Sequence, residues 1–230
     1  MGGQLIHSDY ASFKWPLRNF KNYLIAQIEK NPDIQVRLNT EATPDMIEAE
    51  GYDAVIAAVG SVPKAPPIAG ADTTKYYSPI QVFGHEQELG QRVVVVGGSE
   101  SGVDTAMYLA EAGHDVTILT RQDSLAHDAR RVHYWMLLRD RWSKYPNLKP
   151  VTLASTTAVQ DGKVTYRDND GAAHEIECDS IVLSCGVRAL KDEASAFYGS
   201  AGLFMTAGDC VEARNVQFCN RTALAAASKI

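Results

Sequence analysis

Apolar positions change period several times along this chain, and each change marks an element. Val93 to Val96 are four apolar residues in a row, the pattern of a short strand buried on both faces. Val103, Ala106, Met107 and Ala110 follow at helical spacing. Gly113 then stands where a left-handed cap ends a helix, and Val116 to Leu119 supply a second strand. Upstream, Phe20, Leu24 and Ile28 share one face of a helix predicted over Arg18 to Lys30, which Asn31–Pro32 ends. Ile34, Val36 and Leu38 alternate with polar residues and predict a half-buried strand. Thr43 caps a short helix with Pro44 in its first turn and Gly51 at its end, and Tyr52 to Val59 read as another strand. PKAPPIAGAD, from Pro63 to Asp72, has no period and is the best domain boundary in the sequence. Ser78–Pro79 then opens a short helix.

Beyond Arg121 the pattern gives a loop and a helix from about Asp128 to Lys144, with Val132, Trp135, Met136, Leu138 and Trp142 as its apolar positions. The period then shortens to two. Thr157 to Gln160 and Lys163 to Arg167 flank Asp161–Gly162, and Asn169-Asp170-Gly171 turns the chain into Ala173 to Cys178. That predicts a three-stranded meander. Ile181 to Ser184 form a further strand ending at Gly186. An alanine-rich stretch leads to Leu203–Ala207, and the chain closes with a helix over Gln217 to Ile230.

The turn between the two central strands is Gly97-Gly98-Ser99-Glu100-Ser101-Gly102. Strand, glycine turn, helix and strand at this spacing form the dinucleotide-binding fingerprint. Gly97 allows the tight turn, a small residue at Ser99 lets backbone approach a pyrophosphate, and Gly102 lets the helix pack closely. The free N–H groups and the positive helix end then face the phosphates. The same unit can also serve as bare scaffold. The second strand ends in Thr120 rather than an acid and is followed by Arg121, so a 2′-phosphate meets no carboxylate and can pair with a guanidinium. That favours NADP over NAD, although Arg121 can instead answer Asp123 or Asp128 at the surface. Arg130 and Arg131 are further phosphate candidates or solvated charges. Glu100 is either near a bound ribose or nicotinamide or simply a first-turn acid.

The 230 residues carry a net charge of −6, which argues against a nucleic-acid surface or an anionic membrane partner. No apolar run approaches the roughly 20 residues of a membrane span. Cys178, Cys185, Cys210 and Cys219 lack Cys-x-x-Cys spacing, so no local zinc, iron–sulfur or dithiol motif is expected, and a cytoplasmic chain with reduced thiols is. His85, His114, His127, His133 and His174 are scattered without an assigned acidic partner.

Several segments in order resemble the C-terminal module of the NADH:flavin oxidoreductase family, the group that includes 2,4-dienoyl-CoA reductase and trimethylamine dehydrogenase. They are GGQL at Gly2 to Leu5, AAVGSVPKAPPIAG at Ala57 to Gly70, the nucleotide turn, the meander, LSCGVRA at Leu183 to Ala189, and AGDCVEARNV at Ala207 to Val216. The resemblance implies an α/β, Rossmann-like two-dinucleotide-binding-domain flavoprotein fold with its FAD half truncated. Residues 1–85 and 188–230 would form a partial FAD domain, and 86–187 an inserted NAD(P) domain. Asp209 after Gly208 matches an aspartate that binds the flavin's ribityl or pyrophosphate region; it can also be an acid capping a turn. Gly60 and Gly186 match glycines where the chain crosses between domains, or are plain turn glycines.

A complete FAD domain of this type begins with its own glycine loop, which this sequence does not contain, so the chain alone is expected to bind FAD weakly or not at all and to be inactive. The family's catalytic barrel with FMN, and its cysteine-ligated iron–sulfur cluster, are expected only in a longer parent, implied to be a homo-oligomer. There, hydride from NAD(P)H would pass through FAD to the cluster and FMN to reduce an enoate, enone or dienoyl thioester. The alternative is the amine-dehydrogenase branch, in which the second domain holds ADP and turns over no pyridine nucleotide.

Overall fold

The computed structural model describes residues 1–64, 66–127, 129 and 135–230. Its first elements are helices α1 (Trp15–Lys30) and α2 (Pro44–Glu50), strands β1 (Ala54–Ala57) and β2 (Ser61–Pro63), and helix α3 (Pro79–Val82). The middle of the chain gives β3 (Arg92–Val96), α4 (Glu100–Glu111), β4 (Asp115–Leu119), α5 (Trp135–Trp142) and β5 (Leu148–Val151). Then come β6 (Ser155–Gln160), β7 (Lys163–Arg167), β8 (Ala173–Glu177) and β9 (Ser180–Leu183). The last are β10 (Val187–Ala189), α6 (Lys191–Ser195), β11 (Leu203–Thr206) and α7 (Val216–Ala227). They divide into two compact units, Met1–Gln35 with Ala65–Cys185, and Val36–Lys64 with Gly186–Ile230.

The first unit is organised by a four-stranded parallel sheet in the order β5-β4-β3-β9. Both of its faces are covered, which is what a run of apolar residues without alternation requires. Val93 and Val95 share a core with Val116, Ile118 and Val182 and with Val103, Ala106, Met107 and Ala110 of α4. Val94 and Val96 face the other way and pack with Leu119, Ile181 and Leu183 against Val159 and Val164 of the meander β6-β7-β8. The meander turns where the sequence places its glycines, with φ of 81° at Gly162 and 83° at Gly171. Residues 11–14 strap onto α4. Ala11 is fully buried, Ser12 donates to Glu111 at 2.7 Å, and Lys14 Nζ lies 2.5 Å from Asp104 Oδ2.

The second unit holds a parallel pair, β1 with β11, and an antiparallel pair, β2 with β10. Ala57, Ala194, Phe197 and Cys210 form its small core, with Ile47, Phe204 and Val211 packed around them. Thr43 caps α2 by accepting from the Met46 amide at 3.3 Å, as its place before Pro44 predicts. Asn215 caps α7 in the same way through the Phe218 amide at 2.9 Å.

One expectation is corrected here. Ile34, Val36 and Leu38 form no strand and are 46, 46 and 59 % exposed. No strand among the described residues pairs with them, and Arg37 instead makes a two-pronged ion pair with Glu50 of α2, at 2.6 and 2.9 Å. An alternating pattern needs a partner ladder, and this one has none. By contacts, residues 1–35 and 66–85 pack with the glycine-turn unit through the Ala11–Lys14 strap and the docking of Ile68, Ala71 and Tyr76 on the meander core. The chain does change units inside PKAPPIAGAD, at Lys64. Of the helix expected over residues 128–144, α5 covers Trp135–Trp142; 128 and 130–134 lie outside the described residues.

Met107 is fully buried on the inner face of α4. Met107→Ala is expected to lower the free energy of unfolding by about 2–5 kcal/mol in a urea titration. A loss below about 0.5 kcal/mol would contradict a close-packed α4–sheet interface.

Candidate nucleotide site

The glycine turn lies at the carboxyl edge of the parallel sheet, between the end of β3 and the start of α4. Gly97 has φ +109°, and a Cβ there would stand 2.1 Å from the carbonyl oxygen of Ser184, just past β9. At Gly102 a Cβ would stand 1.8 Å from the Gly97 carbonyl oxygen. The turn and the first turn of α4 are therefore in backbone contact, and neither position tolerates a side chain. A Cβ on buried Gly98 would meet the Thr120 side chain at 2.6 Å. Ser99 is the N-cap residue, extended at φ −69° and ψ 175°, and its side chain makes no capping hydrogen bond. The first amides of α4 have no intrahelical acceptor. Glu100 is half-buried and Ser101 is exposed beside them.

The end of β4 forms the floor of this turn. Thr120 is 5 % exposed, and its Oγ1 accepts from the Gln122 amide at 3.2 Å. Its backbone is pinned on both sides, N–H to the Val151 carbonyl and carbonyl to the Ala154 amide, each at 2.9 Å. The loop folds back so that the Ala126 amide donates to the Gly98 carbonyl at 2.7 Å. Arg121 is exposed at this edge, and its charge reaches the Cys185 thiol, opposing the upward push that burial gives that group. Cys185 donates weakly to the Val96 carbonyl at 3.7 Å. Gly97, Gly98, Ser99, Glu100, Ser101, Gly102, Thr120 and Arg121 are thus gathered in one unit, where ligands bind open α/β sheets. Arg130 and Arg131 lie outside the described residues.

Gly60, Gly186, Gly208 and Asp209 gather in the other unit. Gly60 follows β1 and accepts from the Leu190 amide at 3.1 Å, while Gly186 precedes β10 and accepts from the Lys64 amide at 3.0 Å. Gly208 and Asp209 form the tight turn after β11, so Asp209 sits at the carboxyl edge of the β1–β11 pair. Ser61 Oγ donates to its Oδ2 at 3.1 Å and Cys219 Sγ to its Oδ1 at 3.3 Å. The Gly208 amide donates to Thr222 Oγ1 at 2.8 Å.

Sequence reasoning missed Ser184, Ser61, Cys219 and Thr222, whose places depend on strand pairings far apart in the chain. It also missed Asp104 on α4, whose side chain is 14 % exposed against Lys14 and has Oδ1 unpartnered; burial pushes its carboxyl up and Lys14 opposes this. Three histidines do have acidic partners, His85 with Glu88 at 2.9 Å, His127 with Asp123 at 3.1 Å and His174 with Asp168 at 2.6 Å. All three pairs are solvent-exposed local contacts, spaced i, i+3 and i, i+4 or across a hairpin, and His114 is buried with Nδ1 against the Gly90 carbonyl at 2.9 Å. His133 lies outside the described residues. All four cysteines are free, no metal-binding cluster occurs among the described residues, and no helix among them is long and apolar enough to cross a membrane.

Two outcomes test this geometry. Gly102→Ala is expected to lower the thermal midpoint, although helix propensity alone would raise stability by about 1 kcal/mol; a higher midpoint would refute the backbone contact. Burial pushes the Cys178 and Cys219 thiols up to about 11, with Asp209 adding to the effect at Cys219. Their alkylation by iodoacetamide at pH 8 is therefore expected to run about 100-fold slower than that of a thiol at its ordinary value, as peptide mass spectrometry would read.

The pyridine nucleotide-disulphide oxidoreductase family matches residues 18–217. Bilirubin reductase of Mediterraneibacter gnavus is 29 % identical over 92 % of this chain and 32 % of its own length. Cinnamate reductase of Clostridium sporogenes is 25 % identical over 100 % of this chain and 34 % of its own. Among solved structures, 2-naphthoyl-CoA reductase in complex with 2-naphthoyl-CoA superposes with a TM-score of 0.92 at 28 % identity, over 100 % of this chain and 34 % of that one. These matches bear out the resemblance to NADH:flavin oxidoreductase-like enzymes and the Rossmann-like fold. The chain spans about a third of the length of the curated relatives it matches. With its uncapped helix over a glycine turn and its parallel sheet, the chain belongs to the pyridine nucleotide-disulphide oxidoreductase family.

Proposed function

We propose that this chain is the nucleotide-handling part of a longer NAD(P)H-dependent flavin oxidoreductase. The observation that carries the reading is the start of α4, where a turn without room for side chains meets a helix that its own N-cap side chain leaves uncapped. The first-turn amides of Glu100, Ser101 and Gly102 would hold a pyrophosphate. Thr120 leaves the end of β4 without a carboxylate, and Arg121 would pair with a 2′-phosphate, favouring NADP over NAD. In the other unit, Gly60, Gly186, Gly208 and Asp209 would face a flavin. The fit there rests on the donor chemistry of Asp209, a half-buried carboxylate with acceptor capacity to spare beside its two donors.

When bound, the pyridine nucleotide supplies hydride and the flavin accepts it. The chain's residues bind and orient the two. In the parent, electrons would continue to an iron–sulfur cluster and FMN in a catalytic barrel outside this sequence, in a cytoplasmic homo-oligomer. The names of two relatives, cinnamate reductase and 2-naphthoyl-CoA reductase, support reduction of an unsaturated acid or a thioester in the parent.

Calorimetric titration of the purified chain with NADPH, NADH and ADP tests the nucleotide half. NADPH is expected to bind more tightly than NADH by about tenfold, and Arg121→Ala is expected to erase that preference. Equal affinity for ADP and both dinucleotides would replace this reading with a structural ADP module.

A further inference from the structure

We propose that Ser61 and Cys219 are positioning residues that hold the Asp209 carboxylate to receive a hydroxyl of the flavin's polyol chain. The inference deepens the flavin half of the function proposed above and rests on it. Asp209 lies on a tight turn, where a lone carboxylate would rotate freely. Here it is gripped from two separate elements. Ser61, the first residue of β2, donates to Oδ2 at 3.1 Å, and Cys219, near the start of α7, donates to Oδ1 at 3.3 Å. One donor on each oxygen fixes the carboxylate plane and leaves each oxygen a further acceptor site.

The backbone beneath it is held by the same helix. The Gly208 amide donates to Thr222 Oγ1 at 2.8 Å, and that hydroxyl lies 2.9 Å from the Cys219 carbonyl and 3.1 Å from the Phe218 carbonyl. α7 thus grips the turn twice, through the backbone at Gly208 and through the side chain at Asp209. Burial and the neighbouring carboxylate push the Cys219 thiol up to about 11, so at neutral pH it stays protonated and remains a donor.

The chemistry of the cluster selects the ligand group. A carboxylate repels a phosphate and accepts strongly from a neutral hydroxyl. Its place at the carboxyl edge of β1 and β11 is where a ligand meets a parallel sheet. A chain of adjacent hydroxyls between an apolar ring and a phosphate, as in a flavin nucleotide, suits an acceptor held at one fixed angle.

The test uses the purified chain, with FAD titrated to roughly 1 mM and followed by flavin fluorescence. Asp209→Asn and Cys219→Ala are each expected to raise the FAD dissociation constant about tenfold, with Cys219→Ser, which keeps a donor, within about threefold of the unaltered chain. Saturating FAD or riboflavin should slow alkylation of Cys219, and ADP, which lacks the polyol, should not. A packing role for Cys219 would give neither the serine rescue nor the selective protection. FAD affinity unchanged in Cys219→Ala and Ser61→Ala, or protection of Cys219 by ADP as strong as by riboflavin, would each overturn the proposal. NADPH titrations of the same preparation report on the glycine turn separately, so failure of the nucleotide reading and failure of this inference give different results.

Discussion

One close approach sets the architecture of the first unit: the backbone of Gly102 lies against the carbonyl of Gly97, with no space for a carbon atom between them. It brings the start of α4 onto the end of β3, so that the inner face of the helix can seal the sheet. A second approach, Gly97 against the Ser184 carbonyl, sets β9 beside β3 at the same edge. The first amides of a helix started this way have no intrahelical acceptor, and they are the donors of the proposed nucleotide site. The geometry that closes the core and the geometry that offers hydrogen-bond donors are the same few atoms.

The two layers over the sheet explain why its central strand can be uniformly apolar. Half of the β3 valines answer to α4 and half to the meander, so each is judged by a different neighbour. The meander is therefore more than an appendage of three strands; it shields the face that α4 does not reach. In the second unit the apolar core is small, and polar contacts hold the turn after β11 in place. Asp209, Ser61, Cys219 and Thr222 come from three elements and meet through hydrogen bonds.

The parts that the sequence made legible were local. A glycine turn between a valine run and an amphipathic helix, Asp161–Gly162 between two short strands, and Thr43–Pro44 before a helix are each decided within a few residues. The places of Gly97 to Gly102 and of Thr120–Arg121 in the fold were readable for that reason. The parts that stayed hidden join distant segments. Ser184 reaches Gly97 only after β9 pairs with β3, Ser61 meets Asp209 only through the second unit's sheets, and Lys14 finds Asp104 through the strap on α4. The Ile34–Leu38 alternation misled because a period of two describes a surface, and a strand also needs a neighbour to bond with. The histidine partners were hidden for a similar reason at shorter range: two depend on a turn geometry that spacing alone does not fix.

The pairing of β1 with β11 has a consequence for the newly made chain. β1 leaves the ribosome well ahead of its partner, because Ala54 pairs with Leu203, 149 residues further along the chain. At ordinary translation rates the wait is on the order of 10 s, far longer than a strand pair takes to form. During that interval the stretch from Ala65 to Cys185 has most of what its own parallel sheet requires, while Val55 and Ile56 have no ladder to join. The glycine-turn unit can therefore assemble first, with an unsatisfied apolar strand waiting upstream of it. A translation pause placed before Leu203 would lengthen that exposure and hand the strand to chaperones or to neighbouring chains.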